Sequence, residues 1–324
     1  MTALLDVEGL SVRLPTARGE VTIVDGVDYS VEAGEVFGVA GESGSGKTIS
    51  VLALLRLLPE GARVGGRALY GGQDLLALRP QALRRVRGRE VSMVFQDPLT
   101  SLHPMLTVGR QLTEHVRLHE RLGRGAARRR AVELLEEVRI PDPERALASF
   151  AHQFSGGMRQ RIAIAIALVC RPKLLIADEP TTALDVTVQA GILRLLDRLR
   201  RENGLSVILI THDLGVMSSI ADHVSVFYAG RIVESGRARE LLAGPRHPYT
   251  RALLESLPHP EADDGTELVA IPGAPPTPRS RPDGCAFHPR CNHAVDTCRN
   301  STPSLVPISD TRRLACPPDP FAVV

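Results

Sequence analysis

The stretch Gly41-Glu-Ser-Gly-Ser-Gly46-Lys47-Thr48 constrains this chain more than any other. It follows the apolar run Val36 to Ala40 and precedes a helical run from Ile49 to Leu58, the strand–loop–helix order of a phosphate-binding loop. Gly41, Gly44 and Gly46 let backbone N–H groups turn inward, Ser43 and Ser45 complete the loop, and the helix N-terminus adds partial positive charge. Lys47 brings a compact charge to the β- and γ-phosphates, and Thr48 offers a hydroxyl to Mg²⁺. The only other lysine is Lys173; all remaining basic residues are arginine. A broad guanidinium fits such a loop poorly, so lysine at 47 is informative. These positions are expected to bind ATP.

A second apolar run, Leu174 to Ala177, ends in Asp178 and Glu179. Behind a phosphate-binding loop, Asp178 is expected in the Mg²⁺ shell and Glu179 to polarise the water that attacks the γ-phosphate. Short Val-, Ile- and Leu-rich runs, including Val207 to Ile210, alternate with helical patterns, which is the rhythm of an α/β parallel sheet. Ile192, Leu195, Leu196 and Leu199 fall on one face of a crossover helix. Residues from about 98 to 170 break the alternation and read as an inserted helical subdomain. After Gly244 prolines crowd in and four of five cysteines gather. That composition suits irregular, extended backbone, so residues 1–244 and 245–324 are expected to form an ATPase domain and a small Pro/Cys-rich C-terminal appendage.

Of the 324 residues, 43% are hydrophobic and 23% charged, and no apolar run approaches the ~20 residues that span a bilayer. The N-terminus lacks a basic region followed by an apolar one, which predicts a cytosolic location with membrane contact through a partner. A net charge of +2 and 3% aromatics leave little for nucleic-acid binding. The basic run Arg121 to Arg130 reads as a solvated helix face whose arginines pair with nearby acids.

Phe154-Ser155-Gly156-Gly157-Met158-Arg159-Gln160-Arg161 decides among phosphate-loop proteins. It resembles the signature motif of ABC ATPases, with Phe154 and Met158 where the general pattern has leucine and glutamine. The rest of that family's set follows in order: Gln96 after Val91 to Phe95, Ala183-Leu184-Asp185, and His212 after Val207 to Ile210. The resemblance implies a P-loop ABC-type nucleotide-binding domain in which Ser155, Gly156, Gly157, Met158 and Gln160 face ATP held by an opposite subunit. It further implies that Gln96 senses Mg²⁺ and the attacking water, Asp185 organises the dimer interface, and His212 contacts the γ-phosphate beside Glu179. The family places an aromatic ring against adenine near the position where this chain has Leu14.

Asp97-Pro-Leu-Thr-Ser-Leu-His-Pro104, His247-Pro-Tyr-Thr-Arg-Ala-Leu-Leu254 and Gly284-Cys-Ala-Phe-His-Pro-Arg-Cys291 resemble segments of the ATPase subunits of oligopeptide and dipeptide importers. The implied function is ATP hydrolysis that powers peptide import. The implied partners are a second ABC ATPase subunit, in a heterodimer, two integral membrane permease subunits and, indirectly, an extracellular peptide-binding protein. The implied place is the cytoplasmic face of the membrane. Asp97 to Pro104 is expected to dock the membrane subunits, and disruption of Leu99 and Leu102 to uncouple uptake from hydrolysis. Alternatives are a soluble ABC ATPase acting on nucleic acid or ribosomes, a subunit that binds ATP without hydrolysing it, or an importer subunit for another substrate such as nickel.

Cys285, Cys291, Cys298 and Cys316 are separated by gaps of five, six and seventeen residues. In a reducing compartment such clustered thiols suggest a metal site more than disulfides. A 4Fe-4S cluster suits four cysteines followed by Pro317, zinc is the alternative, and unligated thiols remain open. Cys170 is expected to be a buried small hydrophobe.

Overall fold

The computed structural model describes residues 3–97, 101–182, 184–256 and 270–322. They fall into two compact units, the first drawn from residues 1–32, 36–77 and 211–324 and the second from residues 33–35 and 78–210.

In the first unit Val36–Ala40 is buried at every position and pairs in parallel with His223–Tyr228, as its unbroken apolar run requires. The partner strand returns through Ala229 and Gly230, both at positive φ, into the antiparallel strand Arg231–Arg237. A Cβ on Gly230 would stand 2.1 Å from the Ile23 carbonyl oxygen, so the tight turn admits only glycine. A separate antiparallel sheet runs Gly19–Val31, Leu5–Thr16, Arg63–Tyr70 and Gln73–Asp74 in that order. Tyr29 is buried and stacks on Phe37 with centroids 5.1 Å apart.

Beyond Gly244 the structure departs from the expected irregular backbone. Pro248–Glu255 is a helix, Arg312–Leu314 pairs with Arg231–Arg237, and Val306–Ser309 adds outside it. Proline content misled here for a physical reason. Pro307 sits on the outermost strand, where a missing N–H breaks no interior ladder, and Pro248 opens a helix whose first N–H groups have no intrahelical acceptor.

In the second unit Val91–Val94, Leu174–Asp178 and the strand beginning at Ser206 run parallel. The helix Val186–Asn203 buries Ile192, Leu195, Leu196 and Leu199, the stripe the spacing predicts. Helices Val108–Glu120, Arg124–Glu137, Pro143–Ala148 and Gly156–Leu168 occupy the stretch where strand alternation stops. Arg128 pairs with Glu144, and Arg130 reaches Glu133 at 3.8 Å. Cys170 is buried, and burial pushes its thiol up to about 11. Among the described residues no helix is long and apolar enough to cross a membrane.

Candidate nucleotide-binding site

The glycine-rich loop leaves Ala40 and enters the helix Lys47–Leu54 through Gly46, at φ 101°. A Cβ on Gly41 would meet the Phe227 carbonyl oxygen at 2.2 Å, which again admits only glycine. Lys47 is 5% exposed, and its Nζ donates to the carbonyl oxygens of Gly41 at 2.7 Å and Glu42 at 2.9 Å. The loop therefore curls around its own ammonium group. Gly230 supports it from below, donating its N–H to the Ser45 carbonyl oxygen at 2.8 Å. Ser45 is buried, Ser43 and Gly44 are exposed, and Thr48 is half-buried in the first helical turn.

Asp178 ends its strand 2% exposed. Glu179 follows at φ 46°, a conformation that costs a non-glycine residue about 1–3 kcal/mol and concentrates at functional sites. Its N–H donates to the Ile210 carbonyl oxygen at 2.9 Å, which fixes the turn. Its Oε2 accepts from Gln96 Nε2 at 2.8 Å and from Thr182 Oγ1 at 2.9 Å. Two expected residues are thus brought together, and a third, Thr182, was missed. A hydroxyl three residues past the carboxylate in a turn was the available signal.

Ser155 caps the helix Gly156–Leu168, its Oγ accepting from the Met158 N–H at 3.4 Å. Asp185 caps Val186–Asn203, its Oδ1 accepting from the Val188 N–H at 2.9 Å. The two caps meet through Gly157, where a Cβ would lie 2.6 Å from Val188 Cγ1. Met158 is half-buried, but the expectation that Gln160 faces nucleotide on an opposite subunit needs correction: it is 1% exposed on the inward side of its helix, with its amide nitrogen unpaired. Arg159, not singled out by sequence, donates from Nε to the Phe154 and Ala151 carbonyl oxygens and braces the turn before Ser155. In the first unit His212 is exposed directly after Thr211, and Asp213 caps the helix that follows. Leu14 is half-buried in its strand.

The expectation that Leu102 takes part in docking needs correction. Leu99 lies outside the described residues, and Leu102 is 2% exposed, a core residue unable to offer a surface contact. Gln111 explains the inward turn: its Oε1 accepts from the His103 N–H, and its Nε2 donates to the carbonyl oxygens of His103 and Leu106. The exposed apolar side chain here is Met105, at 77%.

The cysteine tail is held partly by backbone, with the Cys285 N–H donating to the Cys298 carbonyl oxygen at 2.8 Å. Burial pushes the Cys285 and Cys291 thiols up and Cys316 up to about 12, and negative charge on the neighbouring thiols would raise them further. Among the described residues no group of three or more His, Cys, Asp or Glu side chains is arranged to hold a metal ion. The expected ligand shell on Cys285, Cys291, Cys298 and Cys316 is therefore not assembled.

The tail reaches the glycine loop in a way the sequence reading missed. Tyr249 Oη accepts from the Glu42 N–H at 2.8 Å, and Arg290 grips the Glu42 carboxylate with Nη1–Oε2 at 2.8 Å and Nη2–Oε1 at 3.0 Å. The signal was the pair of His-Pro segments already singled out, each carrying one of these residues.

A glycine cradle closed on a buried lysine, a strand ending in Asp178 and Glu179, and a helix opening at Ser155-Gly156-Gly157 define an ATP-binding cassette of the ABC class. Residues 24–182 match the ABC transporter family, and residues 233–298 match the oligopeptide/dipeptide transporter C-terminal region. Over 313 residues the chain is 47% identical to the oligopeptide transport ATP-binding protein OppD of Salmonella typhimurium, covering 97% of this chain and 93% of that protein. It is 47% identical over 315 residues to the dipeptide transport ATP-binding protein DppD of Escherichia coli, covering 97% and 96%. The dimeric bacterial ABC transporter cassette MJ0796 matches with a TM-score of 0.65 at 25% identity, over 72% of this chain and 99% of that one. The chain belongs to the ABC-type ATP-binding proteins of the oligopeptide/dipeptide transporter family, and is an ATP hydrolase of that family.

Proposed function

We propose that this chain hydrolyses ATP with Mg²⁺ to power import of oligopeptides or dipeptides. It acts from the cytoplasmic face of a membrane, paired with a second, different ATPase subunit beneath two permease subunits. Residues 1–244 act as the ATPase domain and residues 245–324 as its appendage. The observation that carries the reading is the Gly41–Thr48 loop, whose turns exclude a Cβ at Gly41 and whose Lys47 ammonium is buried among loop carbonyls.

Lys47 and the loop N–H groups bind phosphate oxygens. Glu179 accepts the proton of the attacking water while Gln96 orients its carboxylate. His212 contacts the γ-phosphate, and Ser155, Gly156, Gly157 and Met158 complete the site of the opposite subunit, with Asp185 at the interface. Thr48, Gln96 and Asp178 would hold Mg²⁺, an oxygen-seeking ion that neutralises phosphate charge. A finer part of the reading puts a 4Fe-4S cluster, or zinc in its place, on the four tail thiols. Its support is that the four cysteines share one short tail, in which the Cys285 N–H donates to the Cys298 carbonyl oxygen at 2.8 Å.

The test is coexpression with candidate permease and second ATPase subunits, then uptake of labelled dipeptide and labelled nickel by vesicles. ATP-dependent peptide uptake by a complex containing this chain is expected. Nickel uptake alone, or ATPase activity that requires DNA or ribosomes, would replace the proposal by one of its alternatives.

A further inference from the structure

Glu42 is the second residue of the glycine loop, and a carboxylate is an odd neighbour for a polyphosphate. Its unscreened charge would oppose the ligand the loop is shaped to hold. Three contacts fix it. Tyr249 Oη accepts from its N–H, Lys47 Nζ donates to its carbonyl oxygen, and Arg290 takes both carboxylate oxygens.

Arg290 is itself held on several sides. Its side chain is 5% exposed, Nε donates to the Pro272 carbonyl oxygen at 2.8 Å, and Nη1 donates to Tyr228 Oη at 3.2 Å. Tyr228, Tyr249 and Phe287 pack on one another with centroids 4.5 to 5.3 Å apart, and the guanidinium lies 5.9 Å from both the Tyr228 and Phe287 rings. A planar fork so fixed meets both oxygens at once, which a lysine cannot do.

We propose that Arg290 is a positioning residue for nucleotide binding, reaching the phosphate cradle from the cysteine-bearing tail by neutralising and orienting Glu42. The inference rests on the reading of Gly41–Thr48 as that cradle.

The full-length chain is titrated calorimetrically with MgATP. Arg290→Gln leaves Glu42 charged and loose, so Kd rises about tenfold, within the usual range of coupling between sites. Arg290→Lys, which keeps charge but not the fork, falls between that variant and the parent. The deciding measurement is the double variant, because Glu42→Gln removes the charge that Arg290 neutralises. The Glu42→Gln/Arg290→Gln chain regains affinity to within about threefold of the parent, a non-additive rescue that lost packing would not produce. Arg312→Gln, which breaks the buried pair with Glu234 in the same tail, lowers the melting temperature and leaves Kd unchanged. The proposal is overturned if Arg290→Gln binds MgATP like the parent, if the double variant stays as weak as the single one, or if Arg312→Gln weakens binding equally. Failure of the underlying reading looks different: Lys47→Ala would then bind MgATP as tightly as the parent.

Discussion

Gln96 donates its side-chain amide to Glu179 at 2.8 Å, joining residues 83 positions apart in the chain. With Thr182 donating to the same oxygen, the carboxylate is held in one orientation on a strained turn. Glu179→Gln keeps the shape and removes the proposed base. Turnover should fall about 10²–10⁴-fold while ATP binding survives and the ATP-bound pair of subunits accumulates. Phosphate release and gel filtration check both, and near-parental turnover would take Glu179 out of its role.

Leu102 and Met105 separate folding from coupling. Leu102→Ala should cost about 2–5 kcal/mol of stability, as buried leucine truncations do. Met105→Asp, at an exposed position, should shift stability by no more than about 0.5 kcal/mol yet reduce stimulation of the ATPase by permease subunits. Full stimulation in that variant would place the docking contact elsewhere.

His247 makes the fold sensitive to acid. Its Nδ1 accepts from the Tyr249 N–H, its Nε2 is buried without a partner, and burial holds its pKa down at about 3. Below about pH 6.5 the unfolded chain takes up a proton that the folded chain refuses. Stability is therefore lost as pH falls from about 6.5 toward 3, at up to about 1.4 kcal/mol per pH unit. Urea midpoints for the parent and His247→Gln should differ at neutral pH and converge in acid; parallel curves would exonerate His247.

Anaerobic purification followed by iron, sulphide and zinc analysis addresses the thiols. The proposed cluster predicts iron and sulphide in a coloured protein, lost in Cys291→Ser. Stoichiometric zinc instead would establish the other metal, and a colourless, metal-free chain even after reconstitution would leave four unligated thiols.

The nucleotide motifs were legible because each is a short run whose chemistry depends on local backbone: glycines for positive φ, small residues at a helix start, acids at a strand end. Val36–Ala40 and the stripe Ile192, Leu195, Leu196 and Leu199 were legible because burial imposes periodicity. What escaped were contacts made across long sequence separations. Nothing near Glu42 announces Arg290, 248 positions away. The Gln111–His103 contact, only 8 positions apart, escaped because a single amide leaves no periodic signal. The short strands beyond residue 305 escaped because a proline on an edge strand looks, in sequence, like a proline in a loop.

Those strands also govern how the protein can be handled. Arg312–Leu314 occupies the hydrogen-bonding edge of Arg231–Arg237, and the outermost strand is short and carries Pro307. A chain cut after Gly244 would keep every nucleotide motif yet leave Glu234, Ser235 and Gly236 without their strand partners, opening an edge to pairing with another chain.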